Sequence, residues 1–421
     1  MAPTTANLAI WTIAAIATAA VIARPFRLPE ALWAMSGAAL LLVTGLLPLS
    51  AGLAAVAKGL DVYLFLIGMM LLSEVARREG LFDWVAAYAV NHAKGSPRRL
   101  FLLIYGVGVV VTVFLSNDAT AVVLTPAVFA AARKARVDPL PYLFICAFVA
   151  NAASFVLPIS NPANIVLYGD HTPPLGRWLA SFALPSLLAI LATYGVLRLV
   201  EAKRLGQTCE RDIDQPALSG GGKLALAGIA LTALALLIVS AMDAPLGLPT
   251  AILGVATTII VLIGRRTTPW PLLKSVSWSV LPLVAGLFVL VEALDRSGLV
   301  AALADILRAG AASSPRFAAA TGGGLLAIAS NLTNNLPSGL IASMAIAQAQ
   351  PPRAVIDALL IGVDLGPNLS ITGSLATILW LAAIRREGED VTFWRFLKVG
   401  ALAMPPALVL AIGARLLSPA G

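Results

Sequence analysis

Long apolar runs separated by short charged segments dominate the chain. Ten of these runs have about the length that an α-helix needs to cross the hydrocarbon core of a bilayer, which is roughly 20 residues. They cover residues 8–23, 31–49, 60–75, 140–169, 178–199, 224–240, 249–263, 276–294, 355–384 and 397–416. The pattern predicts an all-α polytopic membrane protein with ten transmembrane spans.

Two further apolar stretches, residues 101–135 and 317–349, are each too long for one span and are interrupted by polar residues. Basic residues flank the first stretch on both sides, so the positive-inside rule places both of its ends on the cytoplasmic side. Its arms, residues 101–115 and 119–132, are too short to cross independently. We therefore predict two re-entrant helical hairpins, each with a polar tip that lines a protein-enclosed cavity.

Three short blocks of the first half of the chain recur in the same order in the second half. Residues 74–81 match 292–299, residues 116–117 match 330–331, and residues 159–167 align with 371–379. The preserved order predicts an internal repeat.

The repeat divides the chain into residues 1–200, a cytoplasmic linker at residues 201–222, and residues 223–421. Each half then contains five spans and one hairpin. An odd number of spans makes the two halves run in opposite directions through the membrane, which is the inverted-repeat architecture of secondary transporters.

The long spans 140–169 and 355–384 have proline and polar residues near their middles. A proline inside a helix removes a backbone hydrogen bond and clashes with the preceding turn, so both spans are expected to be discontinuous. In inverted-repeat transporters the substrate binds near the midplane at broken helices. Two hairpin tips and two discontinuous helices are therefore predicted to converge there.

Neutral polar side chains are concentrated in these four breaks. Asn, Ser and Thr side chains supply both donors and acceptors, which suits a small ligand rich in hydroxyl groups or oxygen. The candidate substrate-binding residues are Asn117, Asp118, Thr120, Ser160, Asn161, Asn164, Asn331, Asn335, Asn368, Thr372 and Ser374. The alternative for each single asparagine is that it only satisfies unwound backbone.

Asp118 and Asp364 are the only carboxylates inside the four breaks or directly beside them. A charge in the membrane interior is costly and marks a functional residue, so both are candidate proton-coupling residues. The alternative for Asp118 is N-terminal capping of the second hairpin arm. The alternative for Asp364 is a structural hydrogen bond between helices.

Composition and charge agree with a membrane protein. The chain is 59% hydrophobic and only 12% charged, against roughly 25% charged residues in an ordinary soluble domain. The formal net charge is +8, and 22 of the 29 Lys and Arg residues fall on one side when the N-terminus is placed outside. This bias predicts extracytoplasmic termini, and the dispersed basic clusters argue against nucleic-acid binding.

Several other functions are disfavoured by what the sequence contains. Two cysteines, Cys146 and Cys209, and two histidines, His92 and His171, are too few for a metal centre. There is no Walker A motif and no catalytic constellation, so neither an enzyme nor a cofactor is expected. The four breaks contain no Lys or Arg, which favours a neutral polyhydroxylated solute or a cation over a di- or tricarboxylate.

Four stretches resemble the ion transporter superfamily and, within it, the arsenite efflux permease family. They are SNDATAVVLTP at 116–126, SNPANIV at 160–166, NNLPS at 334–338, and DLGPN at 364–368 followed by GSLATILW at 373–380. The resemblance runs through nearly the whole chain in order. It implies export of arsenite and antimonite across the inner membrane as neutral hydroxylated species, in exchange for protons, in some members with an attached cytoplasmic ATPase.

Transferred position by position, the resemblance points to Asn117, Asp118, Asn161, Asn164, Asn335, Asp364 and Ser374. Two departures stand out, because some relatives have an acid where this chain has Asn151 and a lysine where it has Asn368. Proton coupling would then depend on Asp118 or Asp364. The breaks contain no thiol, so metalloid recognition is expected through hydroxyl groups. Two alternatives are a sodium-coupled symporter or sodium/proton antiporter of the same superfamily, and a passive channel for neutral solutes.

Overall fold

A computed structural model of the chain describes residues 4–169, 172–206 and 209–418. Within these ranges the protein is helical and contains no β-strand. His171 lies outside the described residues. The fold is therefore an all-α arrangement, as the hydrophobic pattern predicts.

The helices of the first half and the start of the second follow the apolar runs closely. In chain order they are α1 (Thr5–Ala23), α2 (Glu30–Val43), α3 (Leu49–Lys58), α4 (Leu60–Arg78), α5 (Leu81–Ala93), α6 (Pro97–Phe114), α7 (Asn117–Ala119), α8 (Thr125–Lys134), α9 (Leu140–Ala152), α10 (Pro162–Tyr168), α11 (Leu175–Val200), α12 (Gly220–Ala241) and α13 (Gly247–Arg265). The remaining helices are α14 (Trp270–Ser275), α15 (Val280–Arg296), α16 (Leu299–Ser313), α17 (Pro315–Thr333), α18 (Asn335–Ala349), α19 (Arg353–Leu365), α20 (Leu375–Arg386) and α21 (Phe393–Leu417).

Six helices of the described chain are long and apolar enough to cross a bilayer, namely α1, α6, α11, α12, α13 and α21. A seventh candidate consists of α3 and α4, which are bent by 48° at Gly59. Helices α2 and α9 are apolar but shorter. The protein is therefore a multi-pass membrane protein. Helix length alone supports five of the ten predicted spans, or six with the bent pair, because α6 was predicted as a hairpin arm and not as a span.

The first hairpin arm is longer than the sequence indicates. The prediction that it is too short to cross is wrong, because α6 has 18 residues. The helix begins before the apolar run, since the Ser96 side chain accepts a hydrogen bond from Arg99 N and Pro97 occupies the first turn. Both features favour a helix start at this position.

After α6 the chain reverses at Leu115 and Ser116 and continues through α7, a π-helical turn at Thr120–Leu124, and α8. The second reversal is at Asn334, which has a φ of 73°. Ser330 and Asn331 therefore lie in the last turn of α17, before the reversal. The residues in equivalent positions at the two tips are Ser116 and Asn117 in the first, and Asn334 and Asn335 in the second.

Both long central spans are interrupted. The first consists of α9 and α10, separated by a segment with a 3-10 turn at Pro158–Ser160. The second consists of α19 and α20, separated by 3-10 turns at Gly366–Asn368 and Ile371–Gly373. Pro367 directly follows the C-cap of α19, and Pro162 occupies the first turn of α10, so both prolines stand at helix ends. Polar backbone and side-chain groups are consequently brought into the interior of the molecule.

Small residues allow the closest helix contacts. A Cβ atom on Gly68 of α4 would lie 2.2 Å from the Thr250 carbonyl oxygen of α13, and one on Gly286 of α15 would lie 2.8 Å from the Ala34 carbonyl carbon of α2. Tight packing through small residues is a main source of helix association in membranes. Helices α4 and α15 each belong to one half of the chain but pack against a helix of the other half.

The linker between the halves is attached to helix ends. Asn91 of α5 donates to the Ile213 carbonyl at 3.0 Å and accepts from the Ile213 N–H at 2.9 Å. The Glu210 N–H donates to the Ala135 carbonyl at 2.9 Å, directly after α8. The described part of the linker therefore connects the C-terminal ends of α5 and α8.

Candidate functional site

A hydrogen bond between two buried side chains joins the two broken spans. Asn161 is the N-cap of α10, where its Oδ1 accepts from the Ala163 N–H at 3.0 Å. Its Nδ2 donates to Asp364 Oδ1 of α19 at 2.8 Å. Asn161 is 2% exposed and Asp364 is fully buried. A capping residue of one span thus binds the carboxylate at the end of the other.

A second contact has the same form with the two halves exchanged. Ser374 is the N-cap of α20, where its Oγ accepts from the Thr377 N–H at 3.1 Å. The same hydroxyl donates to Asn151 Oδ1 of α9 at 3.3 Å. Asn151 thus occupies the position in the first half that Asp364 occupies in the second. The two contacts differ in charge, because one contains a carboxylate and the other only neutral groups.

Asn151 is a central residue of this arrangement, although it stands in the sequence only as a departure from relatives. Its Nδ2 donates to Asn368 Oδ1 at 3.0 Å, and Asn368 Nδ2 in turn donates to the Phe148 carbonyl at 3.1 Å. All of these side chains are buried. Candidate Asn368 is therefore fully engaged within the protein and connects α9 to the second break.

Asn331 joins the second hairpin to the second break. Its Nδ2 donates to the carbonyls of Ala327 at 2.8 Å and Gly366 at 2.9 Å. Its Oδ1 accepts from the Ser370 N–H at 3.0 Å and from the Ser370 hydroxyl at 2.8 Å. The Thr372 hydroxyl donates to the Asn331 carbonyl at 3.0 Å. The amide of Asn331 is thus occupied in the described structure.

Two other candidates, Ser160 and Thr120, also hold the breaks in place. Ser160 donates to the Val113 carbonyl at the end of α6 at 3.0 Å. The Thr120 hydroxyl is 2.8 Å from the hydroxyl of Thr112, and this contact joins the two arms of the first hairpin near its tip. Both side chains position the breaks relative to each other.

Asn164 binds backbone carbonyl groups of its own break that have no helical hydrogen-bond partner. Its Nδ2 lies within hydrogen-bond distance of the carbonyls of Ser154 at 2.8 Å and Leu157 at 3.2 Å. Its Oδ1 is buried and has no hydrogen-bond partner among the described residues. One polar atom of this side chain is therefore available to a ligand.

The two hairpin tips present polar side chains that the described protein leaves unpaired. Asn117 and Asn335 are each 3% exposed and occupy the first position of the helix after the reversal. No hydrogen bond engages the side chain of Asn335 or the Nδ2 of Asn117 within the described residues. These two equivalent amides are thus free to bind a small molecule.

Asp118 does not cap the second hairpin arm. Ser116 is the N-cap, and its Oγ accepts from the Ala119 N–H at 3.2 Å. Asp118 follows in the first turn, partly exposed, and within the described residues its carboxylate has no hydrogen bond or ion pair. A carboxylate in the first turn is stabilised by the helix dipole. It remains accessible to a proton, a cation or a hydroxyl group.

Asp364 is the more deeply buried of the two carboxylates. It is completely buried, and within the described residues only Asn161 donates a hydrogen bond to it at normal distance, while Oδ2 has no partner. No basic side chain of the described chain forms an ion pair with it. Burial of a charge without a compensating partner is strongly unfavourable. A proton or a bound cation would therefore neutralise the charge of the Asp364 carboxylate.

A buried ion pair that sequence analysis did not identify lies near the other end of α19. Asp357 is fully buried, its Oδ2 accepts from Arg415 Nε at 2.6 Å, and its Oδ1 accepts from the Tyr168 hydroxyl. The pair connects α10, α19 and α21. One acidic and one basic residue inside two apolar runs would have been a usable signal, because intramembrane charges are usually paired.

Alanine variants of two asparagines near the second tip are expected to differ in thermal stability. Asn331→Ala removes the contacts that hold the second break and leaves buried backbone groups unpaired, at a cost of about 1–3 kcal/mol per group. We therefore expect a clearly lower unfolding temperature in detergent. Asn335→Ala is the matched control and should unfold close to wild type, since its side chain has no partner. Equal destabilisation by both changes would contradict the contacts described here.

A multi-pass helical membrane protein whose broken helices meet at buried polar side chains has the form of a secondary transporter. The chain belongs to the citrate transporter family (CitMHS), whose family model matches residues 10–365. This assignment shows a membrane transporter and leaves the transported solute open.

Relatives with curated names match most of the chain. The arsenical pump membrane protein of Escherichia coli K12 is 29% identical over 369 residues, covering 83% of this chain and 84% of the relative. The same name is carried by a Yersinia enterocolitica protein that is 29% identical over 362 residues, with the same coverage of both chains. An uncharacterised transporter of Mycobacterium tuberculosis is 28% identical over 376 residues, again covering 83% and 84%.

One solved structure supports the fold. The crystal structure of the YdaH transporter of Alcanivorax borkumensis superimposes with a TM-score of 0.53 and covers 86% of each chain. The two sequences are 16% identical, so the likeness concerns the fold alone.

Proposed function

We propose that the protein is a secondary active transporter of the inner membrane that exports arsenite and antimonite from the cytoplasm in exchange for protons. The observation that carries the proposal is the joining of neutral polar breaks to a buried carboxylate without a basic partner, Asp364. The arsenical pump proteins among its relatives support the same substrate class.

We further propose the inverted-repeat topology of ten spans and two re-entrant hairpins, with residues 1–200 and 223–421 as halves. The contacts between the halves support it, because α4 of the first half packs on α13 of the second. In the same way, α15 of the second half packs on α2 of the first. The paired contacts Asn161–Asp364 and Asn151–Ser374 follow the same exchange. The distribution of Lys and Arg over the connecting segments, 22 of 29 on one side, supports extracytoplasmic termini.

In this proposal the free side chains at the tips recognise the solute. Asn117 and Asn335 donate and accept hydrogen bonds to the hydroxyl groups of the neutral metalloid, and Asp118 accepts from one hydroxyl. Asn161, Asn164 and Ser374 form the adjoining walls, and Asn331, Asn368 and Thr372 hold the second break in shape. The solute is released readily because no thiolate holds it.

Proton exchange is assigned to the two carboxylates. A proton on Asp364 removes the cost of a buried charge and reduces its ability to accept hydrogen bonds. Proton binding and metalloid binding then oppose each other, and one displaces the other. The neutral counterpart position, Asn151, cannot contribute a proton, which restricts the coupling to Asp364 and Asp118.

The described breaks do not provide the chemistry for a citrate-like anion. The nearest buried cation, Arg415, is already bound to Asp357, and the breaks themselves contain no Lys or Arg. Helix N-termini at the breaks offset part of an anion's charge, but multivalent carboxylates are usually bound by Arg or Lys side chains as well. This favours a neutral solute over a tricarboxylate.

The proposal is tested by expression in an arsenite-sensitive host and by arsenite uptake into everted membrane vesicles. Growth on arsenite and uptake that depends on a pH gradient and stops with an uncoupler are expected. Uptake that requires sodium instead would favour a sodium-coupled transporter. Uptake that never exceeds equilibrium under a proton gradient would select a passive channel, and absence of any arsenite transport would contradict the proposal.

Removal of both cysteines should leave transport intact. Cys146 is buried in α9 and Cys209 lies in the linker, so neither side chain belongs to the four breaks. We expect Cys146→Ser with Cys209→Ser to show arsenite uptake close to wild type in everted vesicles. Loss of uptake in a correctly inserted double variant would indicate that trivalent arsenic is held by thiolates, which are its preferred soft ligands.

A further inference from the structure

A cavity in the described structure lies apart from the candidate site residues. Its volume is about 730 Å³. Its walls are formed by parts of α10, α15 and α18 and by the ends of α3, α12 and α19. The cavity is partly open, and none of the candidate substrate-binding residues lines it.

The rim of the cavity lies on one side of the molecule. It carries Lys58 at the end of α3, Asp243 between α12 and α13, and Gln350 and Arg353 between α18 and α19. Each of these segments falls on the extracytoplasmic side when the N-terminus is outside and the basic clusters are inside. The opposite side contains the linker and a second groove of about 270 Å³ that includes Lys134 and Ala130.

The floor of the cavity is made by the two helices that begin at the candidate site. Helix α10 starts after Asn161 and reaches the cavity at Ile165, and α18 starts at Asn335 and reaches it at Leu340. At 1.5 Å per residue, the cavity floor is roughly 6–9 Å from the N-caps of both helices. The cavity and the site are thus opposite ends of the same two short helices.

An apolar layer separates the cavity from the site. Val166 and Leu340 line the cavity, and they are only 4% and 5% exposed. Gly339 lies between α10 and α19, since a Cβ atom there would be 3.8 Å from both Val166 and Val363 side chains. The helices are therefore in contact at this level, and the contact contains no polar side chain.

We propose that this cavity is the extracytoplasmic vestibule of the transport path, closed from the binding site by a gate made of Val166, Leu340 and Val363. The inference rests on the proposed function for the identity of the solute. The vestibule suits a small neutral hydroxylated solute, because two basic and two acidic side chains line it, Lys58 and Arg353 with Asp61 and Asp243. Lys58 is also paired with Glu292 at 2.9 Å. The vestibule would not concentrate anions.

The vestibule is tested by cysteine labelling of the full chain in the Cys146→Ser, Cys209→Ser background. Ser343→Cys places a thiol in the cavity wall, and Ala130→Cys places the matched control thiol in the opposite groove. A membrane-impermeant maleimide should label Ser343→Cys in intact cells and Ala130→Cys only in everted vesicles. Labelling of Ser343→Cys only from the cytoplasmic side, or only after denaturation, would overturn the proposal.

The gate is tested with a thiol at the site. Asn335→Cys should be protected from the external reagent in the same background, and combining it with Val166→Ala and Leu340→Ala should end that protection. External labelling of Asn335→Cys without these changes, or continued protection with them, would overturn the gate. Both readouts are independent of transport, so they stand even if the vesicle assay shows that arsenite is not the solute.

Discussion

Asp364→Asn is expected to abolish pH-gradient-driven arsenite uptake into everted vesicles while the protein still folds and inserts. Asparagine has nearly the same shape, and its Oδ1 can still accept the hydrogen bond from Asn161 Nδ2, which is 2.8 Å long in the wild type. Asparagine cannot bind or release a proton, so the exchange cycle loses the group to which we assign proton binding. Uptake should fall to the level of vesicles without the transporter.

Two comparisons make this result specific. Asp305→Asn is the matched control, because Asp305 is an exposed residue of α16 that pairs with Arg308 on the surface, and its uptake should be unchanged. Asp118→Asn separates the two candidate carboxylates and should weaken arsenite binding more than it changes the dependence on pH. Unchanged uptake in the double variant Asp118→Asn, Asp364→Asn would contradict proton coupling through either residue.

Arg415→Met is expected to produce the largest loss of stability. Arg415 is 3% exposed, and its removal leaves Asp357 buried with only Tyr168 and the more distant Arg353 as partners. Breaking a buried ion pair on one side typically costs about 3–5 kcal/mol, since the remaining charge is uncompensated. A strongly lowered unfolding temperature in detergent, or poor recovery of folded protein, is the expected result.

The double variant Asp357→Leu, Arg415→Met distinguishes loss of the ion pair from a simple packing defect. Replacing both charges with apolar groups of similar size is often neutral or stabilising in protein interiors. Its unfolding temperature should therefore lie well above that of Arg415→Met alone. If the double variant were less stable than the single one, the loss would come from side-chain volume and the ion pair would contribute little.

The apolar periodicity predicted the helical class and the interruptions in the apolar runs 140–169 and 355–384. Pro367 follows the end of α19 as the sequence indicates, whereas α9 ends at Ala152, six residues before Pro158. The start of α6 was misplaced, because Ser96 and Pro97 begin a helix in a segment that also contains charged residues. The repeat aligned Ser330 and Asn331 with the first tip, but both continue the helix, and Asn334 reverses the chain.

Single residues in the candidate site were harder to assign. Asn331 and Asn335 look equivalent in the sequence, yet one is fully hydrogen-bonded and the other has no partner in the described chain. Asn151 looked like a plain departure from relatives, and the structure places it opposite Ser374 and Asn368. Polar residues at a break are recognisable from composition, but their partners are set by distant segments.

The amino-acid sequence by itself determined that this chain is a membrane protein with polar interruptions in apolar helices, because hydrophobic length and charge placement are local properties that the bilayer enforces. Only the tertiary structure decided which side chains meet. Asn161 and Asp364 are separated by about 200 residues, and Asp357 and Arg415 by 58. Pairing at such separations depends on how the helices pack, and packing is the sum of many contacts that no local pattern contains.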